Sequence, residues 1–215
     1  MSNRVYLYCT SFSTMPDAPQ YEDFFRKSGT EYEAKSCIPL FWLSLFSSAD
    51  IKILATDRNG FDDDSRPYPY LLCARRDGVE RLRLRARMLE AALGPVRYAL
   101  YQEWILRIEV EPFDNILVRT EELDWMESEG WLEKSLSKAL QHLELVEAQG
   151  EMRMSNAMND IAGLWDEEAL SERESFELVG RANSKESWPL PLAPRASHIE
   201  PAAKTPWWNF LAKRG

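Results

Sequence analysis

The hydrophobic positions of the chain form one continuous run and several periodic patterns. Eight of the nine residues from Ile38 to Phe46 are apolar or proline, and Ser44 is the exception. A segment that is apolar on every side is buried in a folded domain, and this one is far shorter than the about 20 residues that cross a bilayer. We therefore predict a buried helix that begins at Pro39, because the missing N–H of proline is not needed in a first turn.

Alternating apolar and polar positions, together with β-branched and aromatic residues, are typical of strands. They predict a small sheet made of Arg4–Cys9, Tyr70–Ala74 and Ile116–Arg119, the last of which can start at Asn115. Residues 51–54 fit either a helical turn or a short strand. We expect residues 11–33 to be mostly loop, with a possible turn of helix around Tyr21, because the stretch is polar and contains prolines and a glycine.

Apolar residues at spacings of three and four predict three longer helices. The first has its apolar face at Val79–Leu93, with Asp77 as N-cap, and ends at Gly94. Its arginines are interpreted as a solvated face, with a phosphate or acidic-partner patch as the alternative. The second helix runs between Pro95 and Pro112, and the third runs from Leu132 to Gly150.

Weaker helical signals continue beyond Gly150. Met154, Met158 and Trp165 keep the helical spacing, and such methionines fill a core more often than they form an adaptable partner surface. The segment Ser171–Glu174 matches a capping box, which predicts a short helix that Gly180 ends. The fold class is therefore α+β: a small sheet covered by helices in a single domain over residues 1–180.

Residues 181–215 are predicted to be a flexible, proline-rich linker with an aromatic tip. Five of the twelve prolines lie between Trp188 and Pro206, a composition typical of linkers. The tip carries Trp207, Trp208 and Phe210. Exposed aromatic residues need a partner, so these side chains either dock on the domain, form a short linear motif for another molecule, or contact a membrane surface.

Charge divides the chain into a basic middle and an acidic second half. The net charge is −9, with nine arginines between Arg66 and Arg107, and sixteen acidic against four basic residues between Glu121 and Glu177. A net anion is repelled by phosphate, which disfavours nucleic-acid binding. An acidic face suits a basic protein partner, although charges that only keep helix surfaces hydrated would give the same pattern.

No motif indicates catalysis, a cofactor or a metal. The sequence contains no phosphate-binding glycine loop, GxSxG elbow, HExxH or paired-cysteine zinc spacing. The run Asp62–Asp64 lacks the spacing of a calcium loop and indicates a solvated loop, and His142 has no second ligand at helical spacing. The three isolated cysteines and the absence of an apolar leader predict residence in the reducing cytoplasm, with no membrane span.

Three sequence blocks resemble those of a family of uncharacterised bacterial cytosolic proteins. Ser2–Tyr8 is similar to an "ANRxYLY" start, Ile38–Phe46 to an "IPLLWLxLF" block, and Leu117–Met126 to an "xxDTxELxWM" strand and turn. Arg119 stands where this pattern has an acid. The ending around Trp207 resembles the "PWWxF" tails of several small bacterial proteins. The resemblance covers about residues 2–148 and implies a plausible immunity partner of a secreted or contact-delivered toxin.

The leading functional hypothesis is a non-catalytic protein-binding module, in particular an immunity protein that binds a basic toxin domain directly. A hydrolase with dispersed carboxylates and an adaptor that acts through the aromatic tail are the alternatives. Neither the identity of the partner nor the oligomeric state follows from the sequence. The residues predicted to contact the partner are Glu121, Glu122, Asp124, Glu127, Glu129, Trp207, Trp208 and Phe210.

Overall fold

A computed structural model describes residues 3–55, 66–164, 169–183 and 187–191. These residues form the α+β fold that the sequence predicts. The strands of the described part are β1 (Arg4–Thr10), β2 (Ser28–Lys35), β3 (Ile51–Leu54), β4 (Tyr68–Ala74), β5 (Asn115–Arg119) and β6 (Arg181–Ala182). They form one sheet in the order β3-β4-β5-β1-β2-β6, with every neighbouring pair antiparallel.

The sheet buries both of its faces, and each face has a different chemistry. On β1, Val5 and Leu7 point into the main core together with residues of the helices. Tyr8 points to the opposite face, where it packs on Phe24 with the two rings 5.0 Å apart in an edge-to-face arrangement. The period of two along a strand produces this division, and it makes β1 the central element of the molecule.

The described residues contain seven helices, and all but the first cover the first face of the sheet. They are α1 (Tyr21–Arg26), α2 (Leu40–Leu43), α3 (Arg75–Val110), α4 (Glu121–Asp124), α5 (Trp131–Gln149), α6 (Asn156–Ala162) and α7 (Ser175–Val179), with 3-10 turns at Ala18–Gln20, Ser48–Asp50 and Leu170–Glu172. The helix α1 is the exception in position, because its Phe24 belongs to the opposite, aromatic face. The longest helices, α3 and α5, contribute more residues to the main core than the other helices do.

The apolar segment 38–46 is buried as predicted. Its α-helical part is only the single turn α2, which begins after Pro39, and the chain then continues through two tight turns to Phe46. Indole N–H groups here find backbone acceptors: Trp42 donates to the Val179 carbonyl at 2.7 Å, and Trp104 donates to the Phe41 carbonyl at 3.2 Å. These bonds satisfy donors that would otherwise be costly to bury.

Two arginines of α3 bind the carbonyl groups at the end of this segment. Arg85, whose side chain is 1% exposed, donates to the carbonyls of Ser44 and Phe46 at 3.1 and 2.8 Å and forms an ion pair with Glu147 at 2.8 Å. Arg81 donates to the carbonyl of Leu45 at 3.0 Å. The expectation that all the arginines of this helix form a solvated face is therefore wrong for Arg85, because the carbonyls left without a helical partner need donors.

The helix α3 reverses direction at Gly94 and forms a helical hairpin. Gly94 has φ of +65°, a left-handed conformation that glycine adopts at little cost, and Pro95 follows it. Tyr101 donates to the Leu82 carbonyl at 2.9 Å, and Arg83 pairs with Glu109 at 2.5 Å, so the two halves lie side by side. The predicted helix end at Gly94 and restart at Pro95 are thus confirmed.

The chain beyond residue 180 begins with structured residues. Arg181 and Ala182 pair with β2, and Trp188 is buried against Trp104, with the rings stacked and their centroids 5.9 Å apart. Trp188 also donates to a carboxylate oxygen of Glu103 at 2.7 Å. The predicted start of the linker at residue 181 is therefore too early, because proline content alone did not reveal that a tryptophan docks on the domain.

Three local predictions are corrected by the structure. The polar stretch 28–35 is the strand β2, because Tyr32 and Ala34 face the core while the residues between them face outward. The first half of α3 begins at Arg75 with Ala74 as its N-cap, one turn before the predicted Asp77. The capping box before Gly180 is formed by Glu174 and Glu177, not by Ser171.

Other predictions differ in detail or lie outside the described residues. Residues 51–54 form a strand, and Met158 fills the core. The segment that follows β5 contains the single-turn helix α4. Asp62–Asp64, Trp165 and the aromatic tip 205–215 lie outside the described residues.

We expect the substitution Arg85→Ala to lower the free energy of unfolding by about 3 kcal/mol, because it leaves buried carbonyls without donors and Glu147 without its cation. Urea unfolding monitored by circular dichroism measures this loss. Arg87→Ala is the matched control, since Arg87 is exposed on the same helix, and it should change stability by less than about 0.5 kcal/mol. Equal effects of the two substitutions would contradict the capping role of Arg85.

We expect Trp188→Ala to destabilise the domain by about 3 kcal/mol, as is typical when a buried aromatic side chain is truncated. Tryptophan fluorescence during urea unfolding measures the change. Leu190→Ala, two residues further along, is the control, because Leu190 is 69% exposed. A Trp188→Ala protein as stable as the Leu190→Ala protein would show that the docked tryptophan contributes no net stability.

Candidate functional site

The turn at the end of α4 is bound by Arg66. Arg66 pairs with the carboxylate of Asp124, with Nε and Oδ2 2.9 Å apart. Its Nη2 also donates to the Asp124 carbonyl and, at 3.0 Å, to the Glu127 carbonyl. One guanidinium therefore satisfies both the side chain and the backbone of this turn, so that residues 124–127 have a fixed conformation.

The fixed turn exposes two large hydrophobic side chains. Leu123 and Asp124 point inward, and the next two residues point outward: Trp125 is 52% exposed and Met126 is 46% exposed. The chain then turns at Gly130, with φ of +73°, into α5. Side chains of this size are usually buried, and adjacent exposed ones mark an interaction surface more often than single ones do. We call Trp125, Met126, Glu127, Glu129 and Trp131 the α4 surface.

Two depressions flank Trp131. An open groove of about 570 Å³ runs between α5 and α6, with Lys134, Lys138 and His142 on its α5 side. The Nε2 atom of His142 lies 2.6 Å from the Arg153 carbonyl oxygen, so this histidine ties α5 to the following loop. A smaller pocket of about 160 Å³ lies on the other side of Trp131, next to Met126. The exposed hydrophobic residues thus adjoin concave surface on both sides.

The first two acids predicted to contact a partner make contacts within the chain. Glu121 lies 3.6 Å from a guanidinium nitrogen of Arg119. Glu122 accepts the backbone N–H of Arg4 at 2.9 Å. Both side chains are partly exposed, so they contribute negative charge beside the α4 surface while they also fix α4 against β1.

The other predicted acids divide into one structural and two exposed residues. Asp124 is 1% exposed and paired with Arg66, so it anchors the turn and does not face a partner. Burial raises the pKa of Asp124 above its usual range, although the Arg66 charge opposes this shift. Glu127 is partly exposed and Glu129 is exposed. The predicted aromatic contacts Trp207, Trp208 and Phe210 lie outside the described residues.

Sequence reasoning missed the hydrophobic part of this surface. Trp125 and Met126 appear in a stretch rich in acids, and nothing in the periodicity tells which residues of a single helical turn are exposed. The only signal in the sequence is the adjacency of two large apolar residues in an acid-rich stretch, and their exposure follows from packing that the sequence does not show. Asp160 and Ile161, which line the small pocket, are 34 and 35 positions away from Met126 and come close through the packing of α6 on α5.

Two further grooves of the described part contain charged side chains that have partners within the chain. The groove between α3 and α5 contains Arg81 and Arg85 with their acidic partners. The groove along the α3 hairpin contains Arg75, which donates to the carbonyls of Phe113 and Glu109 at 2.7 and 2.6 Å. These contacts serve the fold. The α4 surface differs from both grooves in its exposed tryptophan, Trp125, and it is the candidate site.

The cysteines do not have the features of nucleophiles. Cys9 and Cys73 are buried and Cys37 is partly buried, and all three are free thiols. Burial raises the pKa of each thiol, that of Cys37 to about 11. A thiolate is the reactive form of cysteine, so these side chains are protonated at neutral pH and contribute to packing.

Comparisons with known proteins supply no relative. No protein-family model matches the chain, and no curated protein or solved structure matches it either. Among the described residues, no group of three or more His, Cys, Asp and Glu side chains is placed to hold a metal ion. The helices of the described ranges also include none with the length and apolar character needed to cross a membrane. The α4 surface must therefore be interpreted from its own geometry.

We expect Arg66→Ala to lower the free energy of unfolding at pH 7 by about 3 kcal/mol, because the Asp124 carboxylate is left buried without its cation. The loss should shrink as the pH falls. Without Arg66, the pKa of Asp124 in the folded variant is raised further. The folded state then favours the protonated carboxyl. This stabilising contribution is present at low pH and is lost as the pH rises through the raised pKa. Urea unfolding at several pH values measures both effects.

Two control variants complete this test. Arg76→Ala removes an exposed arginine from α3 and should leave stability within about 0.5 kcal/mol of the parent at every pH. Adding Asp124→Asn to Arg66→Ala should restore part of the lost stability at pH 7, because the buried charge is then absent. A loss that does not depend on pH would contradict the role of the Asp124–Arg66 pair.

Proposed function

We propose that this protein is a non-catalytic protein-binding module whose contact surface is the α4 surface. The observation that carries the proposal is the exposed pair Trp125 and Met126 on a turn that Arg66 holds in one conformation. Tryptophan is enriched among the residues that dominate binding energy at protein interfaces. A surface that is ordered before binding also loses little conformational entropy when the partner arrives.

Charge supports a basic partner. Glu127 and Glu129 lie on the surface itself, and Glu121 and Glu122 lie beside it. Lys134 and Lys138 line the larger groove, which also includes Asp160, whereas no described Lys or Arg lines the pocket next to Met126. Complementary charge raises the association rate and selects the partner more than it raises affinity.

The particular role that we propose is that of an immunity protein, which neutralises a bacterial toxin by covering its active site. The resemblance of three sequence blocks to a bacterial cytosolic family and the acidic α4 surface support this role. Location in the cytoplasm is part of the proposal, and the three free cysteines are compatible with a reducing compartment. The adaptor hypothesis depends on Trp207, Trp208 and Phe210, and the hydrolase hypothesis on carboxylates for which the described residues offer no specific arrangement.

The test is capture of a partner from the native cells by the full chain, followed by direct binding of the purified partner. We expect the double substitution Trp125→Ala and Met126→Ala to weaken that binding about tenfold or more, because a central tryptophan is typically worth 2 kcal/mol or more at an interface. Isothermal titration calorimetry gives the affinity. Binding should also weaken as the salt concentration rises.

The matched control replaces Leu84 and Leu106 by alanine, since these residues are 59% and 60% exposed on α3. This variant should bind like the parent. For the immunity role, expression of the partner alone should arrest growth, and co-expression of the parent chain, but not of the Trp125→Ala, Met126→Ala variant, should restore it. A partner that binds both double variants equally, or whose binding is independent of salt, would contradict the proposed surface.

A further inference from the structure

The small pocket beside Trp131 combines an apolar interior with an acidic rim. Leu123 and Ile161 are buried at its base, and Met126 and the Trp131 indole line it. The carboxylates of Glu127 and Asp160 complete the lining. Its volume of about 160 Å³ holds about five water molecules at liquid density. It is below the range of about 300–1,000 Å³ that is typical of small-molecule sites, so it fits a single side chain.

The pocket exists without any rearrangement of the chain. Its wall at Ser36 belongs to a turn with φ of +60°, whose N–H donates to the Asn3 carbonyl at 2.6 Å. At its base, the backbone of Ile161 is bound to the segment 38–46, because the Ile38 N–H donates to the Ile161 carbonyl at 2.8 Å. The opposite wall is formed by Met126 and Glu127, in the turn that Arg66 binds. A site bounded by fixed backbone on each side is organised before a ligand binds.

The two rim carboxylates differ from many acids of this protein. Asp50, Glu109 and Glu147 are each paired with an arginine. Glu127 and Asp160 form no ion pair with any residue of the part of the chain that the structure describes. Lys134 and Lys138 line the neighbouring groove together with Asp160, but neither forms an ion pair with it. The two rim carboxylates can therefore accept a further cation, and a cation that brings its own apolar stem is the complementary ligand.

We propose, on the basis of the proposed function, that this pocket receives an arginine side chain of the basic partner. The methylene groups of the arginine contact Met126 and Ile161, and the planar guanidinium lies against the Trp131 indole. Arginine is favoured over lysine because its flat, weakly hydrated group stacks on aromatic rings and can bridge two carboxylates. Glu127 and Asp160 are thus the residues that select the charge of the incoming side chain.

The test uses N-acetyl-arginine-N-methylamide as the probe and the full chain labelled for NMR. We expect saturable shifts of the Trp131 indole N–H and the Ile161 methyl signals at millimolar probe. The citrulline compound, which is neutral and nearly the same shape, and the norleucine compound, which is apolar, should give much smaller shifts. The lysine compound should bind, but more weakly than arginine, because it lacks the planar stacking group.

Two double variants test whether the carboxylates at the rim of the pocket select a cationic side chain. The pair Glu127→Gln and Asp160→Asn should weaken arginine binding about threefold to tenfold, as expected for exposed ion pairs. The matched control, Asp77→Asn and Glu90→Gln, removes the same charge from α3 and should leave binding unchanged. Citrulline binding as tight as arginine, an equal loss in the control, or the absence of a saturable shift at Trp131 would overturn the proposal.

The two proposals fail in different ways. If the partner no longer binds the Trp125→Ala, Met126→Ala variant but the pocket does not take the arginine probe, the binding function stands and the arginine assignment is wrong. If the probe binds as expected but the partner binds that variant like the parent, the pocket does bind arginine, and the α4 surface is not the contact for that partner.

Discussion

The fold depends on how the carbonyl groups at the end of the buried apolar segment find hydrogen-bond donors. A segment that is apolar in its side chains is still polar in its backbone, and a helix of one turn leaves most of its carbonyls without partners. Water cannot reach residues 43–46, which are fully buried. Arg85 and Arg81 reach across from α3 and bind these carbonyls directly. The position of α3, and through Glu147 that of α5, follows from this requirement.

Arginine side chains also bind backbone carbonyls where other segments of the chain end. Arg66 binds carbonyls after α4, Arg75 binds those at the end of the α3 hairpin, and Arg97 binds the carbonyls of Glu172 and Arg173 at 3.1 and 2.9 Å. Part of the basic middle of the sequence therefore binds backbone carbonyls within the molecule, with Arg85 buried and the other carbonyl-binding arginines partly buried. Arg76, Arg83 and Arg87 of the same region are exposed. The basic middle therefore divides between arginines that bind carbonyls and arginines on the surface, whereas Glu127 and Glu129 make the α4 surface acidic.

The strands and helices that could be predicted were those whose sequence pattern lies within the element itself. Arg4–Cys9, Asn115–Arg119 and the helix that ends at Gly150 were predictable because period, composition and terminal residues agree there. The strand β2 was missed, since Tyr32 and Ala34 are its only buried residues among polar neighbours. At the candidate site, the acidity around Glu127 and Glu129 was visible in the sequence. The burial of Asp124 was not, because it depends on Arg66, which is 58 positions away.

The bond from the Trp42 indole to the Val179 carbonyl joins residues 137 positions apart, and it has a consequence for biosynthesis. While the chain emerges from the ribosome, the indole of Trp42 has no acceptor and the face of Trp104 has no cover until residues 179–188 have been made. The edge of β2 also stays open until β6 pairs with it. Nascent chains that stop before this point would expose aromatic surface and an unpaired strand edge. Chaperones and quality-control proteases can therefore bind the chain until residues 179–188 have been made.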